Sequence, residues 1–190
     1  MFNGIIYNQG FVKSIKKKKH SSVVEIITFM KFKKSEIGSS ISCDGVCLTL
    51  IKLFNNSLFF YLSNETLHRS NFNKIKINQP INLEKSISYG QKVSGHYCQG
   101  HVDTTGIIKK ILVFDKTWNL KIYVKNNFRK FLTEKGSVTI NGVSLTISKV
   151  LKSGFEVSII PHTLKLTNLI KLKKNNSVNI EFDIFSKYLI

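Results

Sequence analysis

Along residues 137–150, "SVTINGVSLTISKV", apolar and polar positions alternate. Val143, Leu145 and Ile147 fall on one side, and Ser144, Thr146 and Ser148 on the other. A period of two marks a β-strand with one buried face. The stretch "GVCLTL" repeats the pattern, with Val46, Leu48 and Leu50 opposed to Cys47 and Thr49. Asn141-Gly142 and Asp44-Gly45 stand ahead of these runs and predict hairpins, because so tight a turn needs positive φ. The runs "SLFFYLS" and "FEVSII" supply further strands. Short helices are expected at "NETLHRSNF", capped by Ser63 or Asn64, at "PHTLKLTNL", with Pro161 near the first turn, and at "NNFRKFLTEK".

The two alternating runs are copies of each other. Setting residue n against n+97 pairs "SISCDGVCLT" (40–49) with "SVTINGVSLT" (137–146), and five of the ten letters agree. In the same register Thr66, Leu67 and Asn71 meet Thr163, Leu164 and Asn168, while Asn82 and Glu84 meet Asn179 and Glu181. Nearer the start the offset is 96, and "GIIYNQGFVKSI" (4–15) meets "GHVDTTGIIKKI" (100–111). Four matches in order indicate duplication. The chain therefore divides into residues 1–90, residues 91–187 and a short tail, 188–190, with the boundary between about 86 and 97. A solenoid needs at least three shorter units, so this is a tandem of domains. Several short strands per lobe predict an all-β fold of two tandem six-stranded Greek-key β-barrels with short helices.

If the apolar faces fill the barrels, Cys47 and Thr49 in one lobe, and Ser144 and Thr146 in the other, line the outside as shallow pockets. Departures from the repeat then locate unequal roles. His101 stands against Ile5, Lys135 against Gly38 and Asp183 against Ser86. An imidazole, an amine and a carboxylate suit proton transfer and stabilisation of developing charge. Each also has a plain reading: a turn histidine, a surface lysine, a charge at a strand end. In "GHYCQGH", His96, Cys98 and His101 raise a metal site, but on a strand the first two share a face and His101 projects opposite, so no metal is expected. A reactive thiolate needs nearby cations or a helix start, and neither is evident around Cys47, which points to a packing contact against a flat ring.

Composition narrows the setting. Hydrophobic residues make up 42% and charged residues 21%, which excludes a disordered polymer. No apolar run approaches the roughly 20 residues of a spanning helix, and no secretory signal opens the chain, so a cytoplasmic protein without membrane partners is expected. Three cysteines without CxxC spacing argue against a disulfide framework. The net charge of +18 is a common footprint of nucleic-acid binding. Here the excess is almost all lysine, Arg69 and Arg129 are the only arginines, and "KKKKH" carries no interleaved aromatics, so no nucleic-acid partner is expected. An anionic small molecule would still be steered inward. Dinucleotide and phosphate-loop fingerprints are absent.

Taken together, "MFNGII", "GVCLT", "SGHYCQGHVD", "KGSVTINGVSLT", "IPHTLKLTNL" and "VNIEFD" resemble the riboflavin synthases of α-chain type over nearly the whole length. The resemblance implies a cofactor-free dismutation. Two molecules of 6,7-dimethyl-8-ribityllumazine exchange a four-carbon unit to give riboflavin and 5-amino-6-ribitylamino-uracil, the final step of riboflavin biosynthesis. It also implies a homotrimer, each active site joining the first barrel of one subunit to the second barrel of a neighbour. Carried over by motif, the first cradle is Ser40, Cys47, Leu48, Thr49, Tyr61, Leu62, Ser63, Asn64, Glu65 and Thr66. The second is Gly4, Ile5 and Ile6 with Gly100, His101, Val102, Ser144, Leu145, Thr146, Ser158, Ile159, Ile160, Pro161, His162 and Thr163. Lys135 would reach the substrate held by the facing barrel. His101 and Lys135 are expected to assist proton movement, Ser144, Thr146 and Cys47 to position rings or an adding nucleophile, and Asp183 to orient a partner.

Relatives usually continue into a C-terminal helix that helps hold the trimer, whereas this sequence closes on "FDIFSKYLI", so a trimer that is weaker, asymmetric or held differently is expected. The nearest rival reading is a non-catalytic lumazine- or flavin-binding antenna protein. His101, Lys135, Ser144, Thr146 and Asp183 favour the enzyme.

Overall fold

The computed structural model describes residues 1–189. Among them, twelve strands close into two antiparallel barrels of six. The first comprises β1 (Asn8–Lys17), β2 (Ser22–Thr28), β3 (Ser40–Cys43), β4 (Val46–Phe54), β5 (Ser57–Leu62) and β6 (Pro80–Lys85), in the order β1-β2-β5-β4-β3-β6. The second comprises β7 (Thr104–Phe114), β8 (Thr117–Tyr123), β9 (Ser137–Ile140), β10 (Val143–Leu151), β11 (Gly154–Ile159) and β12 (Ser177–Phe182), in the same cyclic order. Closure leaves no sheet edge to recruit another chain. No helix among the described residues is long and apolar enough to cross a membrane.

Alternation decides which side chains enter the barrels. Val46, Leu48 and Leu50 are buried in the first, and Val143, Leu145 and Ile147 in the second. Phe60 and Val157, at matching places on β5 and β11, are both wholly buried. Each such side chain contributes on the order of 1.5–3 kcal/mol of burial. Helix α1 (Asn64–Arg69) starts where Ser63 Oγ accepts from the Thr66 amide at 3.1 Å, and α2 (Pro161–Leu166) starts on Pro161. The third expected helix is a 3₁₀ run, Asn126–Phe131, with no side chain capping its start. Two asparagines of poor helix propensity open it, and only one turn follows before β9.

The barrels meet along a local twofold axis that the duplication creates. The hairpin turns at Gly45 and Gly142 lie back to back, both with φ of +78°. A Cβ on Gly45 would stand 2.7 Å from the Gly142 nitrogen, and one on Gly142 would stand 2.8 Å from the Gly45 nitrogen. Around them runs a buried polar lattice. Asn82 Nδ2 donates to the Asn141 carbonyl at 2.9 Å, and Asn179 Nδ2 donates to the Asp44 carbonyl at 2.9 Å. Asn82 and Asn179 also accept, through Oδ1, the Asn168 and Asn71 amides at 2.8 Å. Paired asparagines saved through duplication thus hold one barrel to the other.

One member of the lattice breaks the symmetry. Where the second lobe has Asn141, the first has Asp44, whose Oδ1 accepts from the Asn82 amide and from Asn168 Nδ2, both at 2.8 Å. Its Oδ2 has no partner among the described residues. Burial pushes this carboxyl up to about 7, against the donors that pull it down. A folded pKa raised above the unfolded value means stability that is full in acid and declines as the pH climbs through about 4 to 7. Asp44→Asn is therefore expected to raise the unfolding free energy by about 1–2 kcal/mol at pH 8 and to change it little at pH 4. Urea melts at the two pH values measure the difference.

Candidate active site

The segments ahead of β1 and β7 are straps that cross over. The strap before β1 lies on the second barrel, where the Ser144 amide donates to the Gly4 carbonyl at 2.8 Å. The strap before β7 lies on the first barrel, where the Cys47 amide donates to the Gly100 carbonyl at 2.8 Å. Ile6 is accordingly buried in the second core, while Val102 packs against the first. The straps also pair with each other through an antiparallel bridge between Phe2 and Cys98. Gly4 and Gly100 have φ of +70° and +76°, and a Cβ on either would lie within 3 Å of Ser144 or Cys47. Both positions require glycine.

Two carboxylates clamp the straps. Glu84 accepts from the Asn3 and Gly4 amides at 2.7 and 3.0 Å, and Glu181 accepts from the Gln99 and Gly100 amides at 2.6 and 2.9 Å. Burial pushes each carboxyl up to about 7, opposed by these same amide donors. Both groups share the sign of Asp44, so they steepen the loss of stability above about pH 4.5.

The first cleft, of about 390 Å³, opens between the turn into β4, helix α1 and the crossing strap, bringing Cys47, Glu65, Thr66, Gly100, His101 and Val102 together. Its size falls at the small end of ligand pockets. Arg69 stands at its rim, held to Glu65 by a 2.8 Å ion pair. Ser63, the cap of α1, also holds the Thr66 hydroxyl at 3.0 Å. Motif alone groups His101 with the second cradle. The structure puts it, with Gly100 and Val102, against the first, because the strap that carries it crosses the junction.

The second site gathers round Ser144. His96 Nδ1 lies 2.7 Å from Ser144 Oγ and His96 Nε2 lies 3.2 Å from Thr139 Oγ1. Thr139 in turn donates to Cys98 Sγ at 3.3 Å. Burial lowers the pKa of His96, and nearby Asp183 acts against that shift. Burial also pushes the Cys98 thiol up to about 12, so it stays protonated at neutral pH. Among the described residues no cluster of three or more histidine, cysteine or acidic side chains is placed to hold a metal. Asp183 is half-buried and caps α3 (Ile184–Tyr188), accepting from the Phe185 amide at 3.1 Å.

The remaining candidates divide by exposure. Thr49, Thr146, Tyr61, Asn64, Ser158, Ile160, Pro161 and His162 are exposed, and Ser40, Ile5 and Thr163 are half-buried. Ser158 Oγ donates to Asn119 on the neighbouring strand at 2.8 Å. Leu48, Leu62, Leu145, Ile159 and Ile6 turn their side chains into the cores, leaving only their backbones to face a ligand. Lys135 lines neither site. It stands exposed on the turn before β9 with φ of +66°, where the first lobe has Gly38 at +94°. Both amides donate at 2.8 Å to a strand carbonyl, that of Ile147 or Leu50, so the turn is the same. A lysine there carries a left-handed strain of about 1–2 kcal/mol that the glycine avoids. Lys135→Gly is expected to raise the unfolding free energy by about 1 kcal/mol while lowering turnover at least tenfold, a pairing that a purely structural lysine would not produce. A larger groove elsewhere on the barrel junction, flanked by Lys74 and Lys171, contains none of the candidates.

Sequence reasoning assigns no site role to His96, Glu84 or Glu181. The two glutamates are visible as acidic letters kept at matching places through duplication, each two residues after a kept asparagine. His96 has no comparable signal, since its partners Ser144 and Thr139 lie more than 40 residues away.

Comparisons with known proteins agree with this architecture. The family described as "Lumazine binding domain" matches residues 3–86 and again 99–183. The riboflavin synthases of Photobacterium phosphoreum and Actinobacillus pleuropneumoniae are each 37% identical over all of this chain, covering 87% and 88% of their own lengths. That of Mycobacterium bovis is 33% identical, again over the whole chain and 96% of its own. Among solved structures, LumP complexed with riboflavin superimposes with a TM-score of 0.85 at 21% identity, covering 96% of this chain and 99% of that one, which speaks to the fold. With its two matched domains and its end-to-end kinship to those enzymes, the chain belongs to the riboflavin synthase family of paired lumazine-binding domains.

Proposed function

We propose that the chain binds one 6,7-dimethyl-8-ribityllumazine on each barrel and transfers a four-carbon unit between the two, releasing riboflavin and 5-amino-6-ribitylamino-uracil. The observation that carries this reading is the 37% identity, over the whole of this chain, with proteins named riboflavin synthase. LumP, a protein crystallised with a ribityl lumazine, riboflavin and flavin mononucleotide, shares the fold at only 20–21% identity, so a reading as a binding protein alone has the weaker kinship.

Two sites on one chain, built from duplicated residues, suit a reaction whose two substrates are the same molecule. Much of the rate then comes from holding two rings in contact, which can remove several kcal/mol from the barrier. Lys135, exposed and outside the lining of the first cleft, is assigned to the substrate on a neighbouring subunit in a homotrimer. His101 beside Cys47 handles protons at the first cleft, and Ser144 with Asp183 serves the second.

The decisive assay supplies the purified chain with the lumazine alone and follows riboflavin absorbance. One riboflavin should appear for every two lumazines consumed. Tight binding without product would instead establish the antenna reading. Specific activity that falls on dilution, together with sedimentation as a smaller species, would support the shared site. Full activity in a strict monomer would reject it.

A further inference from the structure

We infer that His96 is a positioning residue that acts through Ser144, drawing the serine proton away so that the second site presents an oxygen lone pair to its bound ring. The inference rests on the synthase reading above.

Hydrogen-bond directions carry it. The Cys98 thiol stays protonated and donates to the His96 carbonyl at 3.4 Å, leaving its sulfur lone pairs to accept from the Thr139 hydroxyl at 3.3 Å. Thr139 has one proton, already given to sulfur, so at its 3.2 Å contact with His96 Nε2 it accepts. Nε2 therefore carries the ring hydrogen. Nδ1 is then the bare nitrogen, and at 2.7 Å it accepts from Ser144 Oγ. The Cys98 sulfur also approaches the ring nitrogens, at 3.7 and 3.8 Å, too far to compete with either shorter contact. Protons thus run one way, from Ser144 to His96 to Thr139 to Cys98. The arrangement has the logic of a hydroxyl activated by a base that a third group orients.

The first lobe has no such relay. Cys47 stands where the second has Ser144, Ser42 where it has Thr139, and Phe2 where it has Cys98. Two identical substrates consequently meet unequal surfaces, one offering a thiol and the exposed His101, the other a basic oxygen. The titratable groups facing His96 and its neighbours are Asp183, the Cys98 thiol and, against that thiol, Glu84 and Glu181. Burial outweighs Asp183, keeping the imidazole neutral to lower pH than a free histidine.

The test combines pH profiles with a double-mutant cycle, after wild-type dismutation and lumazine binding have been measured. Loss of riboflavin formation by the wild type would sink the synthase reading itself, whatever the variants do. With an active wild type, His96→Gln and Ser144→Ala should each lower kcat roughly ten- to a hundredfold, and the double variant should be no slower than the slower single. The acid limb of wild-type kcat/KM, lying below the ordinary histidine range, should flatten in His96→Gln. Losses that multiply in the double variant, or an acid limb that persists without His96, would overturn the inference. Should His96→Gln fail to fold, Thr139→Val, which keeps the buried shape but removes the partner of Nε2, gives the same reading: a displaced acid limb supports the relay and an unmoved one rejects it.

Discussion

Valine in place of Gly45 is expected to cost about 4 kcal/mol or more and to leave little cooperative folding. Two terms add. The backbone at this turn is left-handed, with φ of +78°, which a β-branched residue tolerates poorly. Its Cβ would also enter the space of the Gly142 nitrogen, 2.7 Å away, and that obstacle is backbone belonging to the mirror turn of the other barrel. Neither turn can retreat without pulling on the Asn82 and Asn179 bonds that surround it. Since whole domains are stable by only about 5–15 kcal/mol, the loss is a large share of the total. Gly90 separates the two terms: it has φ of +79° with nothing within 4 Å of its Cβ position. Valine there should show the conformational cost alone, so urea midpoints that match between the two variants would refute the packing argument.

Alanine at His101 is expected to lower kcat by about a hundred- to a thousandfold, with a smaller change in KM. The residue sits at the mouth of the first cleft, on the strap that Glu181 clamps and the Cys47 amide holds. That anchoring fixes the backbone while leaving the ring exposed, as a group shuttling protons to a bound ring requires. Ile5 occupies the matching place on the other strap and offers no such group, so Ile5→Ala is the control, expected to affect binding more than turnover. A loss at position 101 of less than about threefold in kcat would remove the proton-transfer role. Steady-state kinetics on both variants, with circular dichroism to verify folding, supply the comparison.

Fold and site are not equally readable in the letters. Period-two alternation at 46–50 and 143–147 identifies both inner faces, since burial of one face is a local property of a strand. The glycine turns and the offset of about 97 residues announce two like domains. The same offset pairs Asn82 with Asn179 and Glu84 with Glu181 but cannot say that the first pair joins the barrels and the second clamps the straps. His101 shows the limit best. Its place in the repeat puts it with the second lobe, and the crossing strap sets it against the first. A register describes descent, whereas a strap that crosses an interface obeys packing.

The chain by itself determined what depends on neighbours in sequence: strands, hairpin turns, the short helices α1 and α2, the duplication, and the residues in which the two halves differ. Tertiary structure alone decided what depends on groups far apart along the chain. It brought His96 to Ser144, set the Gly45 and Gly142 turns against each other, and exchanged the two straps. The physical reason is range. Backbone preference and side-chain periodicity act over a few residues, while hydrogen bonds and excluded volume act wherever folding brings atoms together.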